Sequence, residues 1–180
     1  TIFSWRKTSR RIAYVIGDRT AGDAAAIHIP PRTVQRVGDV QVLAVPTTGY
    51  GEGFVVTADG LTIFYGGDHQ GSEPLWAPFT REIDFVRQRV PKVDVAFLQM
   101  MFEEQMPTSR GVLYALEALK PVAMFPNSAV AAKAFFPEFV RTVAEAGLPT
   151  TVRSARHRGD VFFYGSSAPA SRAGSLPDSR

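Results

Sequence analysis

Two runs rich in β-branched and aromatic residues, Phe54-Val55-Val56-Thr57 and Leu61-Thr62-Ile63-Phe64-Tyr65, are joined through Ala58-Asp59-Gly60. Asp-Gly accepts the positive φ values that a tight hairpin turn demands, so this stretch predicts an antiparallel hairpin. The second run continues straight into Gly66-Gly67-Asp68-His69-Gln70-Gly71. Glycines there let the backbone turn sharply and deliver polar side chains at a strand's end, which is where chemistry is expected.

The rest of the chain reads as alternating elements around that hairpin. Residues 12–16 and 40–45 have the apolar content of short strands. Residues 79–90 place Phe79, Ile83, Val86 and Val90 at helical spacing. Residues 93–98 and 122–125 are short apolar strands, and a helix opening at Pro107 or Thr108 runs to Leu119, where Pro121 stops it. Asn127-Ser128 has the composition of a helix cap before residues 129–146, with Pro137 starting a new turn or kinking the helix. Residues 150–152 and 160–164 read as terminal strands. This order predicts an α/β domain over residues 1–165, a mixed β-sheet with packed helices. Residues 166–180 have the Ser, Ala, Pro, Gly and Arg composition of a disordered tail.

Composition removes several function classes. The 180 residues contain no cysteine, which excludes disulfides, thiolate metal sites and a cysteine nucleophile. No apolar stretch approaches the roughly 18 residues of a membrane helix, and no signal peptide is visible, so a cytoplasmic location is favoured. The net charge of +3 collects in arginines near both ends without a recognition motif, so no nucleic acid partner is expected. Neither a Gly-x-Ser-x-Gly elbow nor a phosphate-binding Gly-x-x-x-x-Gly-Lys run is present.

Taken in order, Gly53-Phe54-Val55-Val56, the stretch from Asp59-Gly60 to Gly66-Gly67-Asp68, Val93-Asp94-Val95-Ala96-Phe97-Leu98 and Leu119-Lys120-Pro121-Val122-Ala123-Met124-Phe125-Pro126 resemble the second half of a metallo-β-lactamase-fold hydrolase. The resemblance covers roughly residues 38–164. It implies that Asp68 stands where the family's aspartate bridges two metal ions, a hard oxygen ligand that helps the pair deprotonate a shared water. Zinc is the cofactor it implies, with manganese or no metal as alternatives. The family's His-x-His-x-Asp-His signature is absent, and the entire histidine stock is His28, His69 and His157. Where a further metal histidine is expected stands Pro46-Thr47-Thr48-Gly49-Tyr50-Gly51-Glu52, and the last ligand position reads Pro126-Asn127-Ser128. The expectation is a truncated or degenerate member of a hydrolase lineage, inactive as a lone chain. The alternative is a non-catalytic small-ligand or protein-binding module on the same fold. Half of such a sandwich leaves one sheet face bare, so a homodimer or a missing N-terminal lobe is expected to cover it.

Individual residues keep two readings. Asp68 is either the ancestral metal and catalytic position or a turn cap. His69 is a second metal ligand beside it or a surface imidazole. Glu103, with Glu104, lies at a strand end of the same presumed cleft and suits acid-base work or Mg²⁺ or Ca²⁺ binding, or else is a solvated charge pair. Asn127 belongs to that cleft or caps a helix. His28 reads as a strand or helix-edge residue and His157 as an exposed loop residue. Phe135, Phe136 and Phe139 read as core.

Overall fold

The computed structural model describes residues 12–17, 26–100, 102–103, 106–107, 109–127, 136–155, 157 and 159–164. The elements are β1 (Val15–Gly17), β2 (Ile27–Ile29), β3 (Val34–Val37), β4 (Val40–Pro46), β5 (Glu52–Ala58), β6 (Leu61–Tyr65), α1 (Trp76–Arg89), β7 (Val95–Gln99), β8 (Phe102–Glu103), β9 (Met106–Pro107), α2 (Ser109–Leu119), β10 (Ala123–Asn127), α3 (Phe136–Glu145) and β11 (Thr151–Val152).

The expected hairpin is β5 and β6, paired from Phe54 opposite Tyr65 to Ala58 opposite Leu61. Asp59 and Gly60 both have positive φ, 51° and 77°. That pair of values is what a two-residue loop between twisted strands requires. β3 to β6 form an antiparallel meander, and β7, β10 and β11 add to β6 in parallel, giving the mixed order β11-β10-β7-β6-β5-β4-β3.

From β6 outward each new strand lies beside the last, so the connections through α1, α2 and α3 all advance in one direction. Right-handed crossovers then put all three helices on one face. That face holds the main core: Leu43, Val45, Val55, Phe64, Ala96, Leu98 and Met124 of the sheet meet Phe79, Ile83 and Val86 of α1, Val112 and Leu116 of α2, and Phe139 and Val143 of α3. On the other face, β1 and β2 cover one end through Ile29 over Val42 and Ala44. Its middle carries an aromatic row, Tyr65 to Phe97 to Phe125 to Phe162, with ring centroids 6.5, 5.3 and 5.2 Å apart. Tyr65 is 45% exposed.

Three sequence readings are corrected. α1 begins at Trp76, because Pro78 fits a helix's first turn. Residues 160–164 are not a strand: among them only Val161 makes a bridge, and Tyr164 instead sends its hydroxyl to Asp94. Asn127 is not a helix cap but the last residue of β10, opposite Gln99 of β7. The described part of the last helix starts at Phe136. Phe139 is core as expected, whereas residues 128–135, Glu104 and the 166–180 tail lie outside the described residues.

The first turn of α2 presses on the loop that follows the hairpin. A Cβ on Gly111 would lie 2.6 Å from the Gly71 Cα, and backbone cannot swing away as a side chain can. Gly111→Ala is therefore expected to cost about 1–3 kcal/mol by overpacking, read as a lower urea midpoint, and Gly147→Ala, where a Cβ meets open space, provides a comparison for backbone strain alone.

Candidate functional site

Parallel pairing of β6, β7 and β10 brings their carboxyl ends to one edge, the edge at which open α/β sheets bind ligands. Three polar residues converge there: Asp68 just beyond β6, Gln99 ending β7 and Asn127 ending β10. β5 starts at the same edge with buried Glu52, because it runs antiparallel to β6. Gln99 and Asn127 are direct partners in register and so project to the same side.

The loop of residues 47–51 wraps around Asp68. The Tyr50 N–H donates to Oδ2 at 3.0 Å, the Gln70 Nε2 donates to Oδ1 at 3.1 Å, and Gln99 adds a side-chain hydrogen bond. The Gly49 N–H donates to the Asp68 carbonyl at 2.9 Å. Gly49 has no room for a Cβ, which would overlap the Asp68 carboxylate. The Tyr50 N–H first, then Gln70 and Gln99, hold the Asp68 carboxyl below its ordinary range, against the opposing effect of burial.

His69 is not a surface imidazole; it is only 4% exposed. Its Nδ1 accepts the Thr48 N–H at 3.1 Å, which leaves Nε2 as the protonated nitrogen, donating to the Phe79 carbonyl at 3.2 Å. The ring stacks on Phe79 with centroids 4.4 Å apart. Both nitrogens are thus engaged inside the protein, and neither offers a lone pair to a metal. The Thr48 hydroxyl completes the knot, bridging the Gln70 N–H and carbonyl at 2.7 and 3.0 Å.

Asn127 is different. Its Nδ2 and Oδ1 are both buried, and neither has a hydrogen-bond partner among the described residues. Glu103 lies in β8, and its side chain is outside the described residues. Among the described residues, no three His, Cys, Asp or Glu side chains gather as a metal cluster. His28 is exposed on β2, and His157 is exposed at the other end of the chain beside Asp160. Gln99 and the Thr48 bridge were not legible in the sequence as site residues; only the position of Gln99 at the close of the 93–98 run hinted at it.

No protein-family model matches the chain, and no curated protein matches it. Solved structures do. The diiron β-hydroxylase CmlA from Streptomyces venezuelae is 12% identical with a TM-score of 0.53, over 72% of this chain and 33% of its own. A proposed metal-dependent hydrolase from Parabacteroides distasonis is 15% identical with a TM-score of 0.51, over 71% of this chain and 57% of its own. Another, from Veillonella parvula, is 10% identical with a TM-score of 0.51, over 72% and 57%. These likenesses are of fold alone. The chain spans between a third and somewhat over half of these structures, and at such identities the shared fold carries no substrate with it.

The resemblance drawn from the sequence implies a metal pair, and the described side chains do not fit one. Asp68 already accepts an N–H donor at each oxygen, His69 has no free nitrogen, and Asn127 is a neutral amide.

Burial lowers the His69 pKa from 6.5 to about 4. Between those values the unfolded chain binds a proton that the folded chain refuses, so stability falls as pH falls through that window, by about 3 kcal/mol in all. Urea unfolding from about pH 7 to about pH 4 is expected to show this slope in the native chain and a clearly shallower one in His69→Gln. Equal slopes would remove His69 from the account.

Proposed function

We propose that the chain is a hydrolase-lineage protein of the metallo-β-lactamase fold that does not itself assemble a dinuclear metal site. One observation supports this reading: the Asp68 carboxylate, which the resemblance puts at a metal position, is stabilised in its charged form by donors from Tyr50, Gln70 and Gln99. A cation would have to displace bonds already made, each to a charged acceptor and worth about 1.5–3 kcal/mol. Zinc, or manganese as the harder alternative, would need ligands from beyond these residues. After dialysis against zinc and manganese, elemental mass spectrometry is expected to find far less than a stoichiometric ion, in the native chain and Asp68→Ala alike. A full ion per chain, lost in Asp68→Ala, would overturn the reading and justify screens with ester, lactone and phosphodiester substrates.

The second reading, a non-catalytic module that binds a small ligand, is favoured by Asn127, whose buried amide has no hydrogen-bond partner among the described residues.

As partner we propose a second copy of the chain on the face opposite the helices. Phe54, Ile63, Tyr65, Phe97 and Phe125 on that face are half-buried or exposed and uncharged, so two copies can meet there without bringing like charges together. Sedimentation is expected to give a dimer in the native chain and a monomer in Tyr65→Lys; a monomer in both would exclude this face as a self-interface.

A further inference from the structure

β3 is an end strand of the seven-stranded sheet, with a neighbour on one side alone among the described residues. Its turn into β4 is the two-residue loop Gly38-Asp39, with Gly38 at a φ of 61°, so Val37 and Val40 close it as a hydrogen-bonded pair. Bonded pairs alternate along an antiparallel ladder, and in keeping with this the Thr33 carbonyl accepts the Ala44 N–H at 3.1 Å. The N–H and C=O groups of Val34 and Arg36 therefore point away from β4. Val34 is 59% exposed, so the edge is open to water there.

The surface beside this edge is basic. Val34 lies opposite Leu43 of the helix-side core, so Val34 and Arg36 project to the side of α1. Arg32, just before β3, reaches α1 directly: its Nε and Nη2 donate to Glu82 at 3.1 and 2.7 Å, and its guanidinium stands 5.1 Å from the Phe85 ring. Arg89 lies over the same ring at 5.7 Å and makes no ion pair among the described residues. Glu82 is shared with Arg81 at 2.9 Å, and Arg36 pairs with Asp39 at 3.5 Å. Arg32, Arg36, Arg81 and Arg89 thus face only two carboxylates, Glu82 and Asp39. β3 and α1 both run opposite to β6. From Arg32 to Arg36 the strand advances about 13 Å, and from Glu82 to Arg89 the helix advances about 10 Å, which brings Arg36 to the level of Arg89.

Two requirements on a partner follow. The outward N–H and C=O groups are matched by an extended backbone that adds itself as a further strand. The excess positive charge is matched by carboxylates at alternate positions, because side chains two residues apart share a face. A phosphate chain would satisfy the arginines but not the ladder groups. A second copy pairing through its own β3 would bring two sets of arginines together, which is how a charged edge resists self-association.

We propose that the β3 edge is a docking site for an extended acidic segment of another polypeptide, added antiparallel with a carboxylate at every second residue on the side of Arg36 and Arg89. Residues opposite Val34 and Arg36 then form hydrogen-bonded pairs with them, so the acidic residues are the ones whose N–H groups face β3. The site lies on the helix side, away from the aromatic face offered above for self-association.

The test is fluorescence anisotropy of the full chain with a fluorescein-labelled Thr-Glu-Val-Glu-Val-Glu-Thr peptide. Saturable binding with a midpoint on the order of 100 μM or tighter is expected, weakened at least about fivefold between about 0.05 and about 0.5 M salt. Replacing the glutamates with lysine should abolish it. Backbone N-methylation at the glutamates should abolish it as well, whereas N-methylation at the valines should retain it. Val34→Pro removes only an outward N–H, so it should lose the peptide at a near-native urea midpoint. Arg36→Glu combined with Arg89→Glu should lose the acidic peptide and gain the lysine one, and decides the matter if the proline variant does not fold. No saturation, equal binding of the lysine peptide, or binding indifferent to methylation at the glutamates, the mark of a bare anion site, would overturn the proposal. So would sedimentation of a self-associated chain that Val34→Pro returns to monomer, because the edge would then belong to a second copy.

Discussion

The handedness of the β-α-β crossover fixes more of this molecule than any single contact. Because β6, β7, β10 and β11 follow one another across the sheet without a reversal, right-handed connections leave the helices no choice of face. The same parallel run aligns the carboxyl ends of β6, β7 and β10, so residues 31 and 28 positions apart, Asp68 to Gln99 and Gln99 to Asn127, become neighbours without any local sequence signal joining them. One constraint thus makes both the apolar core on one side and the polar cluster at one edge, and it leaves the aromatic row of the opposite face to be covered by something other than the helices.

A partly buried carboxylate must be compensated, and the fold allows two ways of doing it. Cations compensate by charge; oriented N–H groups compensate by dipole. Here the loop before β5 turns back over Asp68 and supplies the second kind, which requires Gly49 because a side chain there would occupy the space of the carboxylate. Once the loop has closed, the bonds to Tyr50 and Gln70 resist exchange for a metal, since breaking them gives up hydrogen bonds to a charged acceptor. The neutral, buried His69 extends the same logic. It fixes Thr48 on one side and the α1 backbone at Phe79 on the other, so the loop is tied to a helix through an imidazole.

The sequence was legible where local chemistry dictates local shape. Asp59-Gly60 announced its hairpin because few dipeptides accept two positive φ values, and Phe79, Ile83 and Val86 announced a helix by their spacing. Asn127-Ser128 before an alanine-rich run misled for the same reason: the pair has cap chemistry, yet five residues of parallel pairing with β7 hold Asn127 in a strand. His69 read as a surface group because its burial depends on Phe79 and Thr48, which meet it only in three dimensions. The mixed sheet and the position of Asp68 followed from motif order, whereas the partners that decide what Asp68 does are non-local and left no trace in spacing.

The two ends of the sheet now show opposite uses of polar residues. At the amino end, buried Asp94 accepts the Thr62 N–H at 2.8 Å, the Lys92 ammonium at 2.9 Å and the Tyr164 hydroxyl at 3.2 Å, a closed set that pins the chain's last described segment. At the carboxyl end the corresponding network closes on Asp68 but does not extend to Asn127, whose amide has no hydrogen-bond partner among the described residues. An unmatched buried amide costs about 1–3 kcal/mol relative to a satisfied one, a substantial part of a domain's net stability. Leucine, close to asparagine in size, would avoid that cost at the same strand position. A chain selected for stability alone has reason to make that exchange. The asymmetry between the ends therefore lies in their polar groups: the set around Asp94 is matched within the protein, whereas the Asn127 amide is not matched among the described residues.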